Sequence, residues 1–540
     1  MTRGRAATGR RYDRRVNDAS AEQQPQDLHQ LELQRRANRD AVASLGLKPY
    51  GERTDGLVTL ATARAAYDES ADREHQEKGK EEGYADRRPV VRVAGRIVLR
   101  RPTGKLIWMN LRDHTEESFQ VAVSKRDCDE AGFALAEQSD LGDLVVAEGP
   151  LMRTKTGEVT CWASSLRPAS KCLMPPPEKH AGLTDPETRA RRRYVDMWSN
   201  PETTRTLLLR SEIVSAIRRL LESRGFVEVE TPMLQTRAGG AAARPFQTHL
   251  NALDIDLFLR IAPELYLKRL LVGGLPRVFE INRNFRNEGV DKRHNPEFTA
   301  IELYEAYGDV RSVMEISEAV VREAARVAAR ARGLDGLAVP YGDLVIDYAR
   351  PFDRVAYPDL FERALGFSMD DADRVVREAQ ARGLPTKGKG GVALDPLLVA
   401  NDLFETFAEK SIDPARPTWI VRYPASLSPL TRPCPDDPLF ADRADLFIAG
   451  MEIGPHYTEL NDPDVQEAKF REQLAGLDDE ESTFRTFDQD FIDALKVGMP
   501  PAGGMGLGID RLVMLMSGQE TIREVIPFPF VRPLDRRAET

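Results

Sequence analysis

Between Arg277 and Tyr307 the run RVFEINRNFRNEGVDKRHNPEFTAIELYEAY carries more charge in a strand-like alternation than a purely structural strand would hold. Side chains of an extended chain point to alternate faces, so Phe279, Ile281 and Phe285 turn one way and Glu280, Asn282, Asn284 and Arg286 the other. Asn287-Glu288-Gly289 then turns the chain, a basic loop carries Lys292, Arg293 and His294, and a second extended piece returns through Phe298, Ile301, Glu302 and Tyr304. The pattern predicts an antiparallel hairpin with one core face and one polar face. Such a hairpin offers a guanidinium, carboxylates and an aromatic ring to one cleft; a merely solvated polar face is the alternative that the same pattern allows.

FRNEG followed by RHNPEFT and ELYEAY resembles motif 2 of the class II aminoacyl-tRNA synthetases in its lysine-specific form. The resemblance implies that Arg286 holds the α-phosphate of ATP and the amino acid carboxylate, that Glu288 reads the adenine amino group, and that Phe298 stacks on the base. His294 joins the ATP-binding set on the same ground. Two further motifs stand in the family's order. A helix opening at Ser211, with Ile213, Ile217, Leu220 and Leu221 as its apolar stripe and Gly225 as its stop, feeds FVEVETP and ends at Pro232. It resembles motif 1, which implies a homodimer interface. In GGMGLGIDRLVMLMSG the glycines Gly504, Gly506 and Gly508 alternate with Met505, Leu507 and Ile509, which predicts a strand with one bulky face and one bare face that admits a flat ring. This stretch resembles motif 3, so that Gly506 and Gly508 floor the adenine and Arg511 grips the γ-phosphate.

The same resemblance implies a lysine pocket of Gly240 and Glu264 for the α-amino group, Arg286 for the carboxylate, Glu302 and Tyr304 along the chain, and Glu459 for the ε-ammonium. Physical chemistry makes Glu459 decisive, because a buried ammonium needs a carboxylate partner and loses ~3–5 kcal/mol without it. Asp445 and Glu452 match the family's magnesium positions, with up to three Mg2+ ions expected beside ATP. Asp445 stands where Glu is usual, and a buried salt bridge is the alternative role for either acid. The loop MEIGPHYTELND has Pro455 and His456 where related enzymes carry Asn-Gly, so either Arg286 alone or His456 is expected to meet the substrate carboxylate.

Upstream, 89–170 reads as five short β-rich runs separated by turn signals such as Pro102-Thr103-Gly104 and Lys155-Thr156-Gly157. Five strands of that spacing predict a small closed barrel of the oligonucleotide-binding kind, which stacks single-stranded bases on aromatic rings. Trp108 on a strand reads by itself as core, but the resemblance implies that it binds the anticodon with Gln120, and Arg96 is expected to join them. Trp108 replaces the family's usual Phe, and His114-Thr115-Glu116-Glu117 replaces a tight glycine turn. Residues 27–88 read as N-terminal helices, and 28–55 resemble those of bacterial-type lysyl-tRNA synthetases. Residues 1–26 read as a disordered basic tail. In the linker 171–196, Pro175-Pro176-Pro177 stiffens the chain, and Arg189, Arg191, Arg192 and Arg193 are expected either to track tRNA phosphates or to form a solvated helix face.

The 540-residue length calls for two or three domains. The resemblance implies an α+β arrangement, an N-terminal barrel and a catalytic domain over 197–540 built on a seven-stranded antiparallel sheet flanked by helices. A net charge of −10 disfavours indiscriminate nucleic-acid binding, and no apolar run approaches membrane-spanning length. Cys128, Cys161, Cys172 and Cys434 show neither CxxC pairing nor zinc spacing, which points to a reducing cytoplasm. The resemblance therefore implies a cytoplasmic homodimer that joins lysine to tRNA(Lys) with ATP. Its rivals are an aspartate- or asparagine-type relative, an enzyme for a lysine analogue, and a silent paralogue that only binds RNA.

Overall fold

Alternating burial along 90–170 rolls that segment into a barrel. The computed structural model describes residues 25–177, 183–241, 243–388, 391–474 and 487–534. The expected basic tail lies outside them except for its last two residues, where a helix begins at Pro25. The chain forms two compact units that divide between Gly182 and Leu183.

In the first unit β1 (Val90–Thr103), β2 (Leu106–Arg112), β3 (Phe119–Ser124), β4 (Leu144–Arg153) and β5 (Val159–Ala163) pair in the order β1-β2-β3-β5-β4, and β4 returns to β1. That return closes the barrel around Ile97, Met109, Phe119 and Val121. The fifth β-rich run is two strands rather than one: it breaks at Ser164, and β6 (Ser165–Ser170) pairs with β4. At the altered β2–β3 turn the Asp113 side chain closes the loop, accepting from the backbone N–H groups of Thr115 (2.7 Å) and Glu116 (2.9 Å). The helix Pro25–Ser44 buries Val42, but it exposes Leu31, Leu33 and Leu45, so the expected apolar stripe is only partly used. Arg35 is buried there instead, donating to the carbonyls of Leu141 and Cys172.

The second unit contains β7 (Val227–Glu228), a small sheet of β8 (Leu234–Gln235), β9 (Gln247–Leu250) and β10 (Ile255–Leu259), then β11 (Arg277–Phe285) and β12 (Glu297–Ala306). A hairpin of β13 (Ala338–Tyr341) and β14 (Leu344–Asp347) precedes β15 (Asp353–Ala356), β16 (Thr418–Pro424), β17 (Phe440–Ile448), β18 (Met451–Thr458) and β19 (Ala502–Gly508). Among the described residues the main sheet has eight strands in the order β15-β16-β17-β18-β19-β12-β11-β7, not seven. Its interior is antiparallel as expected, but β7–β11 and β15–β16 are parallel at the two edges. Each parallel pair is joined by a long crossover carrying helices, which that geometry requires.

One face of the sheet is covered by the helices Pro201–Ser223, Val310–Arg332 and Ile509–Ser517. The first of these starts ahead of Ser211, at Pro201, whose fixed φ suits the first helical position. Thr203, Thr206 and Leu209 extend the buried stripe backwards, and Gly225 at φ +82° ends the turn that follows. The other face of the sheet carries the site.

Candidate active site

Strand register sets the polar floor. In β11–β12, Glu280 faces Glu302 and Asn284 faces Phe298; in β12–β19, Tyr304 faces Gly504, Glu302 faces Gly506 and Ala300 faces Gly508. Phe279 and Ile281 go to the opposite, helix-covered face, as their alternation required.

The bare strand β19 works as a line of stations. A Cβ on Gly504 would collide with Glu459 Oε1 and Tyr304 Cε1, so both side chains lie directly on that backbone. At Gly506 the neighbours of such an atom are Glu302 Cγ (3.7 Å) and Pro455 Cδ (4.0 Å), and at Gly508 Arg511 Cδ (3.7 Å). The acids therefore run along one strand towards Arg511, and the sheet brings Glu302, Tyr304, Glu459 and Arg511 to one face. Gly240, at φ +84°, is seated against Glu264.

The two guanidinium groups differ in how they are held. Arg511 donates to the Glu452 carbonyl (2.5 Å) and to His294 Nε2 (3.0 Å), while His294 Nδ1 faces Asp291 (2.9 Å). A ring nitrogen that accepts from Arg511 leaves the other as the donor to Asp291, which fixes the tautomer. Burial holds the Arg511 pKa below its ordinary value, against the pull of Glu452. Arg286 lies over the Phe298 ring (5.1 Å), and its buried Nε has no hydrogen-bond partner among the described residues. A buried cationic donor without an acceptor is a place for an anion. The loop after it is tied down where the Asn287 N–H donates to the Arg244 carbonyl (2.8 Å), and the Arg244 N–H is 3.4 Å from Glu288 Oε1.

Four acids on this face answer to burial. Glu302 is pushed up to about 8 by burial and then by Glu264, with Asn284 donating to it at 3.4 Å. Burial and then Glu264, Glu302 and Glu459 hold the Tyr304 phenol protonated. Glu459 is raised by burial while Lys268, which meets its Oε2, pulls it back, and its Oε1 has no hydrogen-bond partner among the described residues. Glu452 is raised by burial and then by Asp445.

Asp445 lies in a buried salt bridge, the alternative role named for it. Both of its oxygens receive Arg443, at 2.9 and 2.6 Å, and it is 2% exposed. Glu452 is the acid that burial and Asp445 push up, and a hard cation beside it would offset both. No cluster of three or more His, Cys, Asp or Glu side chains suited to a metal occurs among the described residues, so any ion here would draw further oxygens from phosphates.

His456 does not enter the pocket. It faces Met505 in the β18–β19 register and lies edge-on to Trp419 (4.7 Å, 89°), on the helix-covered side of the sheet. The expectation that it meets a substrate carboxylate is corrected by this alternation, since Pro455 and Tyr457 take the site-facing positions of β18. The arginine run is corrected as well. Buried Arg193 pairs with Asp196 (2.8 Å), Arg189 with Asp196 and Glu524 (both 2.9 Å), and Arg191 donates to the Arg532 carbonyl.

Sequence reasoning missed Lys268, Arg443 and Glu409. Lys268 is fully buried against Glu264 and Glu459, and its position one helical turn after Glu264 was the only signal available. Glu409, beside a π-helical turn at Phe404–Ala408, is pushed up to about 8 by burial and then by Glu405, Glu452 and Asp445.

On the barrel, Arg96, Trp108 and Gln120 share the outer face of β1–β3, by register and burial pattern. Gln120 Oε1 accepts from Thr160 (2.8 Å), and Arg96 donates to the Gly142 carbonyl (2.7 Å). Trp162, unread in the sequence, stands edge-to-face with Trp108 at 6.2 Å, its indole N–H donating to Asp127 (2.9 Å).

Comparison with known proteins agrees with this arrangement. A family profile described as tRNA synthetases class II (D, K and N) matches residues 185–532, and one described as an OB-fold nucleic acid binding domain matches 91–169. The lysine–tRNA ligase of Pseudomonas aeruginosa (strain LESB58) is 42% identical over 94% of this chain and 99% of its own length. That of Enterococcus faecalis is 41% identical over 94% and 98%. That of Pseudomonas putida (strain F1) is 44% identical over 87% and 91%.

Proposed function

The chain belongs to the class II tRNA synthetases of the D, K and N group and is an ATP-dependent ligase with an OB-fold nucleic acid binding domain, and from that premise we propose that its amino acid is lysine and its acceptor tRNA(Lys). The observation that carries the choice is Glu459: a buried carboxylate beside Tyr304 whose Oε2 meets Lys268 and whose Oε1, lying against Gly504 of the strand that leads to Arg511, has no hydrogen-bond partner among the described residues. An ammonium at the end of an alkyl chain satisfies it. A substrate carboxylate there would instead be repelled.

In this reading Glu264, beside Gly240, receives the α-amino group, and Arg286 takes the substrate carboxylate and the α-phosphate through the donor that the protein leaves unused. Phe298 and the bare backbone of Gly506 and Gly508 sandwich the adenine, Glu288 reads its amino group, and Arg511, steadied by His294, binds the γ-phosphate. The lysine carboxylate oxygen attacks the α-phosphorus, its P–O bond to pyrophosphate breaks, and lysyl-adenylate forms. The terminal ribose hydroxyl of the tRNA then attacks the carbonyl and AMP leaves. No protein nucleophile is involved; orientation and charge placement supply the rate. Magnesium, up to three ions, would be held by Glu452 and the ATP phosphates, with Asp445 acting through Arg443. When bound it would neutralise charge on the pyrophosphate leaving group. Trp108, Gln120 and Arg96 read the anticodon, and a cytoplasmic homodimer is the working assembly.

The test is ATP–pyrophosphate exchange with a panel of amino acids. Lysine alone should support exchange, and Glu459→Gln should lower kcat/KM for lysine by at least about a hundredfold, the scale of one lost buried charge partner. Exchange with aspartate or asparagine, or unchanged lysine kinetics in the variant, would overturn the assignment.

A further inference from the structure

That reading leaves one buried charge in the pocket without a task. Lys268 is 0% exposed, and its Nζ lies 2.6 Å from Glu264 Oε1 and 2.5 Å from Glu459 Oε2. The rings of Tyr304 (5.9 Å) and Phe491 (6.0 Å) flank the same ammonium, taking the place of its water. Burial works against its charge, yet Glu264 and Glu459 hold its pKa above the ordinary value. The two carboxylates that share it are the two assigned to the α-amino and ε-ammonium groups of the substrate.

Charge counting gives the pairing a purpose. Two carboxylates close enough to share one ammonium in a dry site cannot both stay ionised without a cation between them. With Lys268 in place, Glu264 and Glu459 keep one net negative charge between them, so the pair still attracts an ammonium. Lys268 meets only Oε2 of Glu459 and Oε1 has no partner among the described residues, so the ion pair does not saturate the carboxylate. Lys268 is also anchored on the helix Glu264–Val272, four residues after Glu264, and stays when a substrate departs.

We propose that Lys268 is a positioning residue for amino acid selection, a resident counter-ion that keeps Glu459 ionised in the empty pocket so that an ε-ammonium meets a carboxylate and not a carboxylic acid. This rests on Glu459 as the ε-ammonium acceptor. Among the described residues, Lys268 and Glu264 from the helix act on Glu459 directly and Tyr304 from β12 lies beside it, while Glu302 from β12 and Tyr457 from β18 act on Tyr304.

The experiment is the lysine KM in ATP–pyrophosphate exchange from pH 6 to 9, at saturating ATP, for the whole chain and for Lys268→Met, Lys268→Gln, Lys268→Arg, Glu459→Gln and the double variant Lys268→Met/Glu459→Gln. Loss of the cation raises the pH below which lysine binding fails. Lys268→Met should therefore shift the acid limb of log(1/KM) up by at least one pH unit, which is about tenfold in KM near neutrality. The deficit should shrink towards pH 9, kcat should change by less than about threefold, and the shift should vanish in the Glu459→Gln background. A shift that persists there belongs to Glu302 and overturns the proposal, as does an increase independent of pH or tighter lysine binding. If the methionine variant does not fold, Lys268→Gln reads the same limb, and Lys268→Arg, which keeps the charge, should leave it in place. Wild-type exchange without any dependence on lysine would sink the substrate assignment itself, a separate result.

Discussion

His456 and Glu459 stand three residues apart and serve opposite sides of one sheet. Burial pushes the His456 imidazole down to about 3, whereas in the unfolded chain it titrates near its ordinary 6.5. Between those values the unfolded state takes up a proton that the folded state refuses, so stability is full above about pH 6.5 and falls as pH drops, by about 1.4 kcal/mol per pH unit. His456→Phe keeps a planar ring against Trp419 and removes that proton. Denaturant titrations at pH 6 and 5 should show a flatter dependence for the variant, and its lysine KM should equal that of the wild type; an increase in KM would put the ring back in the pocket. Gly504 makes the complementary case. A methyl group there collides with Glu459 and Tyr304, so Gly504→Ala should cost lysine-dependent exchange at least about a hundredfold, by displacing a buried charge partner. ATP binding, followed by fluorescence or calorimetry, should persist, because Gly506 and Gly508 are untouched.

The hairpin β11–β12 was legible because a strand declares its two faces every second residue, and the glycines of β19 because bare backbone in a strand implies a close neighbour. Lys268 was not, since a Glu and a Lys four residues apart on a helix look like any surface pair until the partner from β18's far end, Glu459, closes over them. The arginine run was ambiguous for the same reason. Apart from nearby Asp196, its acceptors, Glu524 and the carbonyls of Arg523, Pro527 and Arg532, lie more than three hundred residues later, and no local pattern announces them. The parallel edges also hid, because crossover direction is a property of packing and not of the strand's own residues. The clamp makes its own prediction. Arg193→Met removes a fully buried cation from Asp196, and breaking such a pair costs ~3–5 kcal/mol. Chemical denaturation should show that loss, while the tRNA KM of the folded fraction stays unchanged. A selective rise in tRNA KM would return the run to phosphate contact.

Each of the two units encloses a core of its own, one around Ile97, Met109 and Phe119 and the other around Ile301, Val313 and Leu512. Separate cores mean that a change on the barrel's outer face need not disturb adenylate chemistry, and the two half-reactions allow that to be measured. Trp108 and Trp162 form an edge-to-face pair on that face, with Gln120 in the neighbouring row. Stacking a base on an aromatic ring is worth about 1–3 kcal/mol. Trp108→Ala should therefore raise the tRNA KM by about five- to a hundredfold, with ATP–pyrophosphate exchange unchanged. Because the chain carries a net charge of −10, broad phosphate attraction cannot compensate for the lost contact, and the defect should remain when ionic strength is lowered. Recovery of wild-type KM at low salt would show that the face acts through charge and not through its rings.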